Sequence, residues 1–86
     1  VLEGYLGIDV GSISTKGVVI DRDYRVRAHR YLRTKGNPIS AIRRLIKELG
    51  QEVDSQVRVL GVGTTGSARR LAGVMVQADI VKNEII

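Results

Sequence analysis

The 86-residue sequence predicts a single α/β unit with elements in β-β-β-α-β-α order. Three observations predict it: two apolar runs joined by a small-residue turn near the start, one strongly periodic helical segment in the middle, and a further apolar run that ends in a glycine cluster.

Tyr5 to Val10 and Thr15 to Ile20 are apolar runs bounded by turn residues and give the first two strands. Asp21-Arg22-Asp23 is a second tight turn, leading into a third strand over Tyr24 to Arg33. There Arg25, Arg27, His29, Tyr31 and Arg33 alternate with Tyr24, Val26, Ala28 and Leu32, with Arg30 the exception, as in a half-buried strand with a solvated face. Gly36-Asn37-Pro38 breaks the meander, Asn37 serving as N-cap and Pro38 as first helical residue. Ile39, Ile42, Leu45, Ile46 and Leu49 then recur at helical spacing, Arg43, Arg44, Lys47 and Glu48 face outward, and Gly50 supplies the stop. Gln56 or Val57 to Val62 gives a fourth strand, and Gly61 to Arg70 a strand-to-helix connection with a helix beginning near Ala68. Three antiparallel strands, a crossover helix and a further strand are the opening of a ribonuclease-H-like α/β domain.

Composition narrows the function classes. The chain has no cysteine, so disulfides and thiolate metal ligands are excluded within it, and with three Tyr and no Trp or Phe its core is built from Val, Ile and Leu. No apolar run reaches membrane-spanning length, and the start lacks a charged region followed by an apolar one; the expectation is a cytoplasmic protein with no membrane partner. The net charge of +5 rests largely on the solvated face of the third strand. Without a recognition helix, an aromatic RNP pattern or zinc spacing, no nucleic-acid partner is expected, and His29 belongs to that face rather than to a catalytic centre. A unit this small is marginally self-sufficient, and Asn83-Glu84-Ile85-Ile86 lacks the polar fraying of a terminus, so residues 1–86 are expected to be the N-terminal part of a longer chain.

The chemistry concentrates between Gly7 and Asp21. An apolar strand ends on Asp9, a turn of Gly11, Ser12 and Ser14 follows, then Lys16, and a second apolar strand leaves the turn. That layout suits a phosphate-binding hairpin. Gly11 lets backbone N–H groups approach an anion, Ser12 and Ser14 add hydroxyl donors, Lys16 neutralises phosphate charge, and Asp9 holds Mg2+ through its water shell. The same residues also make an ordinary turn followed by a solvated lysine. The segment is not a Walker A loop, because Lys16 runs into the β-rich Gly17-Val18-Val19-Ile20 rather than a helix, and no G-x-G-x-x-G fingerprint opens a helix here. In the second cluster, Thr64, Thr65 and Gly66 with Ser67 form either a plain capped loop or the lining of a ligand cleft at the carboxyl end of the fourth strand. Asp79 and Glu84, taken alone, are two solvated acids.

The D-x-G-x-x-x-x-K hairpin resembles the first phosphate motif of the actin, sugar kinase and heat-shock ATPase superfamily. Within it the chain most resembles the N-terminal end of the activator ATPases of 2-hydroxyacyl-CoA dehydratases and benzoyl-CoA reductases, on Leu6 to Lys16, Gly61 to Arg69 and Ala78 to Ile85. The first stretch is common to the superfamily; the second and third, in this order and at this distance, narrow it.

The resemblance implies the N-terminal portion of an actin-like ATPase domain with ATP and Mg2+ as cofactors. It implies nucleotide contacts from Gly11, Ser12, Ser14, Lys16, Thr64, Thr65 and Gly66, with Asp9 and Glu84 catalytic, Glu84 orienting Mg2+ or the attacking water. The relatives' loop reads T-G-x-G-R; here Ala68 stands for the second glycine and Arg69 matches the arginine. By the same resemblance, the full-length protein is a homodimer holding a 4Fe-4S cluster, which passes a low-potential electron to a CoA-ester dehydratase or reductase. The cluster's ligands would then lie outside these cysteine-free residues. A sugar or carboxylate kinase of the same superfamily and a non-catalytic actin-like nucleotide-binding module are the alternatives. Lacking a second phosphate loop and an adenine pocket, the 86 residues alone are expected to be inactive.

Overall fold

In the computed structural model, which describes residues 2–53, 57–66 and 84–85, five strands and one helix follow in the order β1 (Leu2–Val10), β2 (Ser14–Asp21), β3 (Val26–Arg33), α1 (Pro38–Glu52), β4 (Val57–Gly66) and β5 (Glu84–Ile85). The strands form one sheet in the order β3-β2-β1-β4-β5. The meander β1-β2-β3 is antiparallel, α1 crosses over so that β4 lies parallel to β1, and β5 runs antiparallel to β4. The helix expected near Ala68 lies outside the described residues, as do Ser67, Arg69 and Asp79.

Two periodicities meet in the core. Alternate residues of the strands, Leu6, Ile8 and Val10 of β1, Val19 of β2, Ala28 of β3 and Val57 and Val59 of β4, turn to one side and pack with Ile42, Leu45, Ile46 and Leu49 of α1. Each fully buried Leu or Ile there contributes roughly 1.5–3 kcal/mol. Gly17 of β2 lets the helix come close, since a Cβ at that position would lie 2.8 Å from Leu45 Cδ2 and 2.9 Å from Leu49 Cδ1. Ile39, expected in the apolar stripe, is half exposed, and Ala41 takes a buried place instead.

The helix begins as its sequence indicates: Asn37 Oδ1 accepts the Ser40 N–H at 3.2 Å and Pro38 occupies the first turn. It does not stop at Gly50. Two further residues are held in register because the Glu52 carboxylate accepts the His29 N–H at 2.8 Å and Arg30 Nη1 at 2.9 Å, occupying part of the outer edge of β3. The same contact explains the break in the β3 alternation. Arg30 sits on the helix side of the sheet, where its guanidinium bridges Glu48 at 3.3 Å and Glu52 at 2.9 Å. Tyr24 and Val26, expected on the buried face, are exposed, because a bulge between Val19 and Ile20 shifts the pairing and Tyr24 lies in the turn at φ 63°.

That turn is organised by Asp21. Its carboxylate accepts the N–H groups of Arg25 at 3.0 Å and Asp23 at 2.9 Å and pairs with Arg27 at 3.3 Å. The Arg25 N–H is the largest influence holding the carboxyl below its ordinary value of 3.8; burial acts in the opposite direction, and the Asp23 N–H and Arg27 add to the lowering. A carboxyl with a lowered folded-state pKa stabilises the fold fully above its unfolded value and loses that contribution as pH falls through the folded one. Thermal unfolding followed from about pH 5 to about pH 2 is therefore expected to show a steeper acid loss in the wild type than in Asp21→Asn. Parallel curves would remove Asp21 from the acid response.

Candidate functional site

Pairing register decides which side chains share a face. Tyr31 of β3 pairs with Lys16 of β2, Lys16 with Asp9 of β1, and Asp9 with Thr65 of β4. Paired residues on neighbouring strands project to the same side, so these four form one row across the sheet, on the face opposite α1. Thr65 Oγ1 donates to Asp9 Oδ1 at 2.9 Å, fixing the carboxylate, and the Lys16 ammonium stands over the Tyr31 ring, 5.9 Å from its centroid.

The next row of the same face is Val18, Gly7 and Gly63. These residues with Asp9, Lys16 and Thr65 line an open cleft of about 370 Å3. Gly7 and Gly63 pave its floor with bare backbone. At Gly63 a Cβ would meet nothing within 4 Å, so no packing contact demands glycine there; what its absence provides is space.

The hairpin between β1 and β2 closes through a bond from the Gly11 N–H to the Ser14 carbonyl at 2.8 Å. Thr34, just beyond β3, then braces it: its N–H donates to the Ile13 carbonyl at 2.8 Å, its hydroxyl donates to the Gly11 carbonyl at 2.8 Å, and the hydroxyls of Thr34 and Thr15 lie 2.9 Å apart. Both threonines are buried. Sequence reasoning missed Thr34, because a threonine between a strand and a Lys-Gly turn carries no local sign of a partner 23 residues earlier.

The second glycine cluster differs from expectation. Gly61 to Gly66 is strand rather than loop, aligned with Tyr5 to Val10, and the backbone groups on its β1 side belong to the sheet. This alignment is what brings Thr65 to Asp9. Thr64 pairs with Ile8 and so projects to the helix side, away from the row. Gly66 has φ +98°, and a Cβ there would run into the Val10 carbonyl and lie 2.8 Å from Asp9 Oδ1; the positive φ and the crowding against β1 account for that glycine.

Glu84 stands apart. Its backbone pairs with Arg58 at the opening end of β4, seven residues before Thr65, or roughly 23 Å along a strand. The structure brings Asp9, Lys16 and Thr65 together, and does not bring Glu84 to them.

Among the described residues no three His, Cys, Asp or Glu side chains gather to hold a metal. A lone carboxylate, exposed and oriented by Thr65, fits a Mg2+ ion that keeps most of its own water. A 4Fe-4S cluster does not fit these residues, which offer no thiolate. No described helix is long and apolar enough to cross a membrane.

No protein-family model matches the chain, and no curated protein does. Among solved structures it is similar to the crystal structure of gluconate kinase from Lactobacillus acidophilus, with a TM-score of 0.59 and 23% identity over 77% of this chain. The matched region amounts to 16% of the kinase chain. At that identity the likeness speaks for the fold alone: the mixed sheet β3-β2-β1-β4 with its crossover helix is an α/β arrangement shared with part of that kinase.

Proposed function

We propose that residues 1–86 are the N-terminal part of a longer ATP-dependent enzyme and supply the first phosphate-binding half of its Mg-ATP site. One observation carries this reading: Lys16, Asp9 and Thr65, from three strands, share a row above a glycine floor on the sheet face that α1 leaves open. The hairpin from Gly11 to Ser14 contributes amides and hydroxyls to a phosphate, and Lys16 contributes the opposing charge. Asp9, held by Thr65, would hold Mg2+ through its water shell, and the ion would supply charge neutralisation at the phosphates.

Two chemistries use such a half-site. Phosphoryl transfer to a small hydroxylated acceptor is supported by the fold likeness to a gluconate kinase. An activase that spends ATP on low-potential electron transfer to a CoA-ester dehydratase or reductase is supported by the stretches Gly61 to Arg69 and Ala78 to Ile85; its homodimer interface and cluster would lie in other parts of the protein. Both require that the full-length protein bind Mg-ATP. ATP consumption by that protein, with sugar acids added in one series and a CoA-ester dehydratase component in another, separates them. Binding without turnover in either series points to a non-catalytic nucleotide module, and no Mg-ATP binding removes the proposal.

Lys16→Ala in the full-length protein is expected to weaken ATP about tenfold and adenosine hardly at all, because a charge-assisted phosphate contact contributes roughly 1.5–3 kcal/mol when made. Calorimetry with both ligands reads the difference. Equal losses would mark Lys16 as a structural residue.

A further inference from the structure

We propose that Thr34 is a positioning residue that presets the hairpin for phosphate by holding the Gly11 carbonyl on the core side of the sheet and the Ile13 carbonyl in line with the end of β3; this rests on the phosphate-site reading above. Thr34 reaches both carbonyls, one through its hydroxyl and one through its own N–H, each at 2.8 Å. Its hydroxyl is further anchored at 2.9 Å on that of Thr15, which is fully buried on the helix side of β2.

The consequence follows from the planarity of the peptide. The Gly11 carbonyl and the Ser12 N–H belong to one peptide unit, as do the Ile13 carbonyl and the Ser14 N–H, and no peptide bond among the described residues is cis. In a trans unit the carbonyl and the N–H point in opposite directions. The Thr34 hydroxyl lies on the helix side beside that of Thr15, so fixing the Gly11 carbonyl on it turns the Ser12 N–H away, toward the side on which Asp9 and Lys16 stand, while the Ile13 bond holds the next peptide in the plane of the sheet. A four-residue turn held only by the Gly11–Ser14 bond has no such constraint on its peptide planes. With Thr34 in place, the orientation of the Ser12 donor is set before the anion arrives, and the ordering cost is removed from binding. The same threonine ties this arrangement to α1, because its carbonyl accepts the Asn37 N–H at 3.0 Å at the start of the helix.

Three variants of the full-length protein test this. Thr34→Val keeps the shape and the backbone bond but removes the hydroxyl; it is expected to weaken Mg-ATP about tenfold while leaving adenosine affinity unchanged. Thr34→Ser, which keeps the hydroxyl, is expected to restore Mg-ATP affinity to within about twofold. Thr15→Val removes the buried hydroxyl partner but not the carbonyl anchor, and is expected to lower the melting temperature with Mg-ATP affinity retained. The amide chemical shift of Ser12 in ligand-free protein is expected to move in Thr34→Val and not in Thr34→Ser.

Wild-type Mg-ATP affinity in Thr34→Val would overturn the proposal and leave Thr34 a stabilising residue only. An equal ATP loss in Thr15→Val would overturn it as well, assigning the effect to the buried hydroxyl pair. If Thr34→Val does not fold, the Ser variant decides: a tenfold loss there, with the hydroxyl present, contradicts the mechanism. If the wild type binds no Mg-ATP, the phosphate reading fails, while the ligand-free Ser12 amide shift still reports whether Thr34 orients the hairpin.

Discussion

Gly63→Val is expected to abolish Mg-ATP binding in the full-length protein while leaving its melting temperature within a few degrees of wild type. The two halves of this expectation have separate causes. A Cβ at Gly63 meets nothing within 4 Å and the residue lies outside the left-handed region, so the strand accepts a side chain there without collision or strain. A β-branched residue suits β4 better than glycine does, with a gain of roughly 0.5–1 kcal/mol from backbone entropy alone. The isopropyl group, however, rises beside Gly7 into the cleft framed by Asp9, Lys16 and Thr65. Loss of affinity on the order of 100-fold or more is expected, since each tenfold corresponds to about 1.4 kcal/mol and a displaced phosphate forfeits more than one charge-assisted contact. Calorimetric titration beside a melting curve reads both halves. Wild-type affinity in a stable Gly63→Val protein would place the ligand elsewhere.

Asp9→Asn is expected to lower Mg2+-dependent ATP turnover by about 10²–10³-fold, the size of effect seen when a preorganised electrostatic group is removed from a reacting centre. The fold is expected to hold, because Asp9 is exposed and an amide oxygen still accepts the Thr65 hydroxyl, now 2.9 Å from Asp9 Oδ1. Thr65→Val makes the complementary change: the charge remains and its orientation is released, so a smaller loss, about three- to tenfold, is expected. Steady-state rates at varied Mg2+ measure both. Turnover equal to wild type in Asp9→Asn would show that the carboxylate has no part in the reaction.

Local pattern made much of this fold readable. Asn37, Pro38 and the spacing of Ile42, Leu45, Ile46 and Leu49 announced α1, and the small-residue turn after Asp9 announced the β1-β2 hairpin with Lys16 beyond it. The places where expectation and structure part depend on partners distant in sequence. Gly50 ends a helix by its own preference, yet α1 continues because Glu52 finds β3. Gly61 to Gly66 has the composition of a loop, and becomes strand because β1 lies alongside to pair with it. Thr65 meets Asp9 across 56 residues through a parallel alignment that no local signal encodes. The brace at Thr34 is hidden for the same reason. Glu84 was linked to the nucleotide by resemblance alone, and the pairing of β5 sets it at the other end of β4.

The alternation along β1 has a further consequence for what a preparation of this protein can contain. Ile8 and Val10 enter the core while Asp9, between them, stands on the opposite face. Were β1 to slip by a single residue, both apolar side chains would turn to water and a carboxylate would be thrust among the leucines of α1. An unpaired charge in such surroundings costs several kcal/mol, a large share of the roughly 5–15 kcal/mol that holds a domain together. Molecules with a misaligned row therefore unfold rather than persist as well-formed but inert copies. The count of competent sites should equal the count of native molecules, and damage to the alignment should surface as missing protein instead of slow protein.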